Sequence, residues 1–219
     1  MPVTPKSAEP IRVLLVDDHA VVRAGCRALL KNAGDIEIAG EAASGEGAFK
    51  AYFAHKPGVL IMDLSLPGMG GLEAIRRIVS RDSEARILVF SEHDETVFVD
   101  RALTAGARGY ITKRSSANVL TDAVRQVAGG KIYLDRDIAQ RMAFQRTRGT
   151  NSPFVGLSTR EFEVFCLLAE GLAAPDIARR LSLSYKTVAN YSTQIKAKLG
   201  VNTQAQLARL AIRHGVAKV

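Results

Sequence analysis

No apolar run in this chain approaches the ~20 residues a helix needs to cross a bilayer, so nothing in its 219 residues reads as a membrane span. The first residues, MPVTPKSAEPIR, lack the apolar stretch of a signal peptide, and positions 1–10 read as a loose arm. Cysteine is scarce. Cys26 and Cys166 lie far apart, each among apolar residues, which fits two buried thiols in a reducing cytoplasm better than a disulfide or a metal site. The four histidines, His19, His55, His93 and His214, show no ligand spacing. Neither GxGxxG nor GxxxxGKS/T occurs, so both glycine fingerprints of nucleotide sites are missing. What remains, 47% hydrophobic and 24% charged, is the composition of an ordinary globular protein.

The net charge of +8 is unevenly spread. Residues 1–129 hold 16 basic and 16 acidic side chains, residues 130–150 hold 5 and 2, and residues 151–219 hold 9 and 4. A neutral front joined to a basic back third predicts two domains, the second facing a polyanion.

In the front, apolar runs at 11–16, 36–42, 58–63, 85–91 and 107–112 are short, rich in Val and Ile, and bounded by Gly, Asp or Pro, as strands are. Between and after them, 20–33, 45–55, 71–81, 95–105 and 116–129 carry helical periodicity. Alternation of this kind predicts an α/β flavodoxin-like domain over 11–130, a five-stranded doubly wound parallel sheet.

Ligands of such sheets bind beyond the carboxyl ends of the strands. Strand 1 ends on Asp17 and Asp18, strand 3 on Asp63 and strand 4 on Ser91, while Lys113 follows strand 5. Three carboxylates crowded at one edge repel one another unless a cation neutralises them, and an oxygen-rich site suits Mg²⁺.

These residues resemble a known family. DDH at 17–19, MDLSLPGMGG at 62–71, Ser91 and Lys113 are similar to the receiver domain of two-component response regulators. The resemblance implies that Asp63 accepts a phosphoryl group from a sensor histidine kinase. It implies that Asp18 ligates Mg²⁺ directly, that Asp17 does so partly through water, that the backbone carbonyl of Ser65 is a further contact, and that Lys113 neutralises the phosphoryl oxygens. Ser91 is then expected to sense the phosphoryl group and Tyr110 to turn inward in response, a local electrostatic event with a bistable readout. Arg114 follows Lys113 where many receivers have proline, which leaves the geometry of that bond open.

Residues 131–153 read as a linker: a short helix over 135–144, then the polar, turn-rich QRTRGTNSP. From 154 to 219 the pattern is purely helical. Ser158 with Glu161 has capping-box spacing, Pro175 suits a first helical turn, Ser184 can cap YKTVANYSTQIKAKL, and Gly200 and Gly215 are stops. Two helices joined by a tight turn, the second studded with Lys, Asn, Gln and Thr, predict a helix-turn-helix. LSTRE at 157–161, IARRLSLS at 177–184, KTV at 186–188 and KAKLGV at 196–201 resemble the LuxR-type domain. Joined to a receiver, that domain identifies the NarL/FixJ family, and SPF, YKTVANY and ARLAIRHG resemble its GacA/UvrY branch.

On the recognition helix, Ala189, Asn190 and Thr193 share an exposed side near the end that enters the major groove. Lys186, Thr187, Tyr191, Lys196 and Lys198 are expected at phosphates, and Val188, Ile195 and Leu199 in the core. Leu207, Leu210 and Ala211 on the last helix are candidates for a two-fold contact between two copies. The expected partners are thus a sensor histidine kinase, double-stranded DNA and a second copy of the chain; the expected setting is the cytoplasm, without a membrane. An enzyme of the haloacid-dehalogenase type fits less well, because Asp63-Leu64-Ser65 lacks that family's second aspartate, and a receiver-controlled module binding protein or RNA is the other alternative.

Overall fold

The computed structural model describes residues 9–147 and 152–217. Most of the expected arm and the middle of the QRTRGTNSP linker lie outside the described residues. The front domain is built on β1 (Ile11–Val16), β2 (Ile36–Ala42), β3 (Val59–Met62), β4 (Ile87–Ser91) and β5 (Gly109–Thr112). All pairings are parallel and the order begins β2-β1-β3-β4-β5. Alternate side chains serve opposite faces. Val13 and Leu15 pack under α1 (Ala20–Lys31) and α5 (Ala117–Ala128), with Cys26 and Leu30. Leu14 and Val16 pack toward α2 (Gly45–His55), α3 (Gly71–Val79) and α4 (Thr96–Thr104). Coverage on both faces is why the central strands carry unbroken apolar runs. Both cysteines are free and buried, and burial pushes the Cys26 thiol up to about 11.

The five-stranded expectation needs correction, because a sixth strand, β6 (Tyr133–Leu134), pairs parallel with β5 at Gly109 and Tyr110. Two residues are too few for a period-2 pattern, so the sequence carries no strand signal there. Gly109 permits the approach: a Cβ on it would stand 3.2 Å from the Tyr133 carbonyl oxygen and closer still to Leu88 and Val127.

β6 leads into α6 (Arg136–Thr147), the expected linker helix, which buries Ile138 and Met142 beside α4. The back domain comprises α7 (Thr159–Ala169), α8 (Ala174–Arg180), α9 (Tyr185–Leu199) and α10 (Gln204–Arg213). Ser158 and Thr203 each close a full capping box, Ser184 caps α9, and Gly200 ends α9 at φ 66°. α8 starts from Ala173 with no side-chain cap, so Pro175 in its first turn is the local signal that starts it. Phe162 and Phe165 are fully buried, and the core they centre on continues without a break into the α3–α4 face of the front domain. Among the described residues, no helix is long and apolar enough to cross a membrane.

Candidate functional site

The carboxyl edge of the sheet gathers the residues that end its strands. Asp17 and Asp63 are each 1% exposed and Ser91 is fully buried, because β1, β3 and β4 are central strands whose ends lie under their own loops. Lys113 Nζ reaches 2.6 Å from Asp17 Oδ2 and 3.0 Å from Asp63 Oδ2. Burial raises the pKa of Asp63, and Lys113 offsets only part of that. Burial works to lower the pKa of Lys113, but its bonds to Asp17 and Asp63 outweigh that and raise it. Asp63 Oδ1 accepts the Leu64 amide at 2.7 Å.

Ligand atoms of Asp17, Asp18, His19 and Asp63 all lie within 4.8 Å of one another. Asp17 Oδ2 is closed off from solvent and makes no hydrogen bond of good geometry, so the ion pair with Lys113 is its only partner among the described residues. Three carboxylates and one ammonium leave negative charge in excess, so the pocket can bind a divalent metal ion, and oxygen donors favour a hard one.

Two further residues belong to this edge that sequence reasoning left aside. His19 donates its amide to Asp17 Oδ1 at 2.8 Å and sets Nδ1 2.8 Å from Asp18 Oδ1. Arg23, one turn along α1, donates Nη1 to the Asp17 carbonyl at 2.7 Å and pairs with Glu41 at the end of β2. The available signal was the DDH triplet itself, with Arg23 four residues beyond His19 on the same helical face.

The loop after β4 ties the edge to its surroundings. Ser91 Oγ accepts the His93 amide at 3.3 Å, and His93 Nε2 lies 3.3 Å from the hydroxyl of Ser65, itself exposed. Tyr110 is fully buried and donates its hydroxyl to the His93 carbonyl at 2.8 Å. With its hydroxyl satisfied and its ring in the core, Tyr110 is inward in this structure. The Lys113–Arg114 bond is trans, and Arg114 pairs with Asp94.

In the back domain α8 and α9 form the helix-turn-helix. Asn190, Thr193 and Lys186 are exposed, while Ala189, Thr187 and Lys196 are half-buried. Thr193 bonds back to the Ala189 carbonyl and Thr187 to Ser184. Val188 and Ile195 are buried and Leu199 packs on the core, as their spacing predicts. Two expected phosphate contacts are already engaged. Tyr191 packs against the core, and Lys198 Nζ donates to Glu161 Oε2 at 2.7 Å. The two-fold candidates need correction: Leu207 and Ala211 are fully buried inside the domain and Leu210 packs on its core, because they are the apolar stripe that holds α10 in place. The exposed large apolar side chain on α10 is Ile212.

Comparison with known proteins agrees with this division of the chain. Residues 13–125 match the family described as the response regulator receiver domain, and residues 155–211 match bacterial regulatory proteins of the luxR family. The chain is 39% identical over 208 residues to the response regulator UvrY of Escherichia coli (strain K12), covering 94% of this chain and 95% of that one. It is 36% identical to the response regulator GacA of Pseudomonas aeruginosa over 94% and 97% of the two chains. The crystal structure of a LuxR-family two-component response regulator from Aurantimonas sp. SI85-9A1 superposes with a TM-score of 0.62 at 40% identity, covering 64% of this chain and 99% of that one.

Proposed function

The chain belongs to the response regulators that join a receiver domain to a LuxR-type DNA-binding domain, and from that premise we propose that phosphoryl transfer to Asp63 governs how its helix-turn-helix engages duplex DNA. It is a DNA-binding regulator of transcription, not a metabolic catalyst. The donor in this reading is the phosphohistidine of a sensor kinase, and the setting is the cytoplasm, where kinase and DNA are both within reach.

The observation that carries the reading is the placement of Asp63: it ends a central strand at the switch point of the sheet, buried, with Lys113 Nζ at 3.0 Å. A carboxylate oxygen of Asp63 forms a bond to phosphorus, the bond from phosphorus to the donor nitrogen breaks, and the imidazole leaves with the electron pair. Lys113 faces the phosphoryl oxygens and balances their charge, and the fixed positions of Asp63 and Lys113 supply alignment. Asp18, Asp17 and the Ser65 carbonyl are the groups that would hold Mg²⁺, and a bound ion would neutralise charge on the transferring group. Ser91 lies within the same edge and responds to the new anion through its hydroxyl.

On the DNA side, Asn190, with Ala189 and Thr193, presents the reading face, and Lys186, Thr187 and Lys196 flank it toward phosphates. Two copies on paired half-sites is the arrangement we propose, with the outer side of α10 at Ile212 as their contact. The chemistry is tested by incubating the protein with acetyl phosphate and Mg²⁺ and weighing it intact. One added phosphoryl group is expected, and none in Asp63→Asn. Unchanged labelling of that variant would overturn the assignment.

A further inference from the structure

The backbone that carries Asp17 and Asp18 is held by an arginine reaching it from α1. Arg23 Nη1 donates to the Asp17 carbonyl at 2.7 Å, and its Nε donates to Glu41 Oε2 at 3.2 Å. One planar guanidinium thus spans the ends of β1 and β2. Glu41 is gripped in turn by Arg27, one turn further along α1, whose Nε donates to its other oxygen at 2.7 Å. These bonds, that of Arg27 first, hold the Glu41 carboxyl below its ordinary value although burial works to raise it. Arg23 and Glu41 keep only 19% and 25% of their side chains exposed, so this is a sheltered pair and not a solvated surface bridge.

A register slip puts Glu41 there. β2 follows β1 from Ile36 opposite Ile11 to Ile38 opposite Val13, then passes over Ala39, so that Gly40 stands opposite Leu14 and Glu41 opposite Leu15. Strict alternation would turn Glu41 away from the face of Ile36 and Ile38, which pack with Cys26 and Leu30 of α1. The extra residue reverses the parity. Gly40 now faces α2, where a Cβ would stand 3.0 Å from the His55 ring, and Glu41 faces the arginines of α1. Slips of one residue re-aim side chains in this way beside functional sites.

What the arginine fixes is the peptide between Asp17 and Asp18. The Asp17 side chain has restraints of its own, the His19 amide and Lys113. Asp18 is held less: its side chain is 32% exposed, and it pairs with a His19 side chain that is itself 62% exposed. The direction in which Asp18 leaves the backbone follows from the peptide plane whose carbonyl Arg23 holds. On charge alone a guanidinium this near a cation site opposes the cation, and Glu41 cancels that charge. Resting on the reading of this edge as the phosphorylation site, we infer that Arg23 is a positioning residue of the metal site, fixing the 17–18 peptide so that Asp18 is aimed at a divalent ion before the ion arrives, while Glu41 orients the guanidinium and neutralises it.

Arg23→Gln separates aim from charge, because the two act with opposite sign. Removing a cation beside the pocket tightens metal binding if charge decides and loosens it if aim decides. The probe is Mn²⁺ alone, without a phosphoryl donor, titrated into the full chain and read from the loss of the free ion's electron paramagnetic resonance signal. The dissociation constant should rise about tenfold in Arg23→Gln, the scale of effect for groups that orient a metal ligand. Arg27→Gln removes the same charge from Glu41 but no bond to Asp17, so it should stay within about twofold of wild type. Arg23→Lys keeps the charge without the fork and should fall between, and it carries the test if Arg23→Gln does not fold. Labelling of Asp63 by acetyl phosphate should be slowed in the Arg23 variants at low Mg²⁺ and return to the wild-type rate at saturating Mg²⁺, a split that general damage to the fold does not produce. Unchanged or tighter Mn²⁺ binding in the Arg23 variants overturns the inference. So does an equal loss in Arg27→Gln, or a labelling deficit that saturating Mg²⁺ leaves in place. Mn²⁺ binding with the stated losses, but no labelling of any protein, wild type included, would instead defeat the phosphoacceptor reading.

Discussion

Tyr110 gives its hydroxyl to the backbone carbonyl of His93 at 2.8 Å, which joins β5 to the loop that follows Ser91 at the end of β4. The bond is buried at the tyrosine end, and burial pushes the pKa of the phenol up. Tyr110→Phe keeps the ring and leaves the carbonyl unpaired, which should cost about 1–3 kcal/mol in urea denaturation. The variant should still be labelled at Asp63, but its DNA affinity should respond less to labelling. A full response would show that this bond is structural alone.

Lys198 tests the helical domain through pH. Burial acts to raise the pKa of Glu161, but Lys198, together with the Ser158 amide and hydroxyl, outweighs it, and the pKa lies below the ordinary 4.5. A carboxylate depressed in the folded state contributes stability that is present above its unfolded pKa and lost as pH falls through its folded pKa. Lys198→Ala should therefore bring the acid loss of stability to higher pH, nearer 4.5. It should also weaken the α7 capping box by about 1 kcal/mol or less. Thermal melts between pH 3 and 7 read both; coincident profiles for variant and wild type would deny the pairing a role.

Base reading and phosphate contact should separate on α9. The exposed amide of Asn190 can pair with adenine in the major groove, worth ~1–3 kcal/mol against a wrong base. Asn190→Ala should flatten preference at one position of each half-site. Lys196→Ala should weaken all duplexes alike and lower the salt slope by ~0.9. Lys198→Ala should change the slope less, because its ammonium is engaged by Glu161. Affinities for a panel of duplexes at several salt concentrations check all three. A changed sequence preference in Lys196→Ala with none in Asn190→Ala would contradict the placement of α9 in the groove.

Much of the chemistry was legible in the sequence for a geometric reason. Asp17, Asp63, Ser91 and Lys113 stand at strand ends, and parallel topology brings strand ends together whatever the details of packing. Caps at Ser158 and Ser184 were legible because capping depends on residues only three apart. The misses were tertiary. A helical stripe such as Leu207, Leu210 and Ala211 looks the same whether it meets its own domain or a second copy. Lys198 reads as a phosphate contact until α7 brings Glu161 beside it, 37 positions away. His93 meets Ser65 and Tyr110 only because the fold brings other elements to it, 28 and 17 positions away.

The central claim is that phosphorylation at Asp63 governs engagement of DNA. The most direct measurement is the affinity of the full chain for a duplex selected from a random pool, with and without acetyl phosphate and Mg²⁺, in wild type and Asp63→Asn. Labelling should raise wild-type affinity by about tenfold and leave Asp63→Asn unmoved. Equal wild-type affinity in both conditions, or the same rise in Asp63→Asn, would contradict the account.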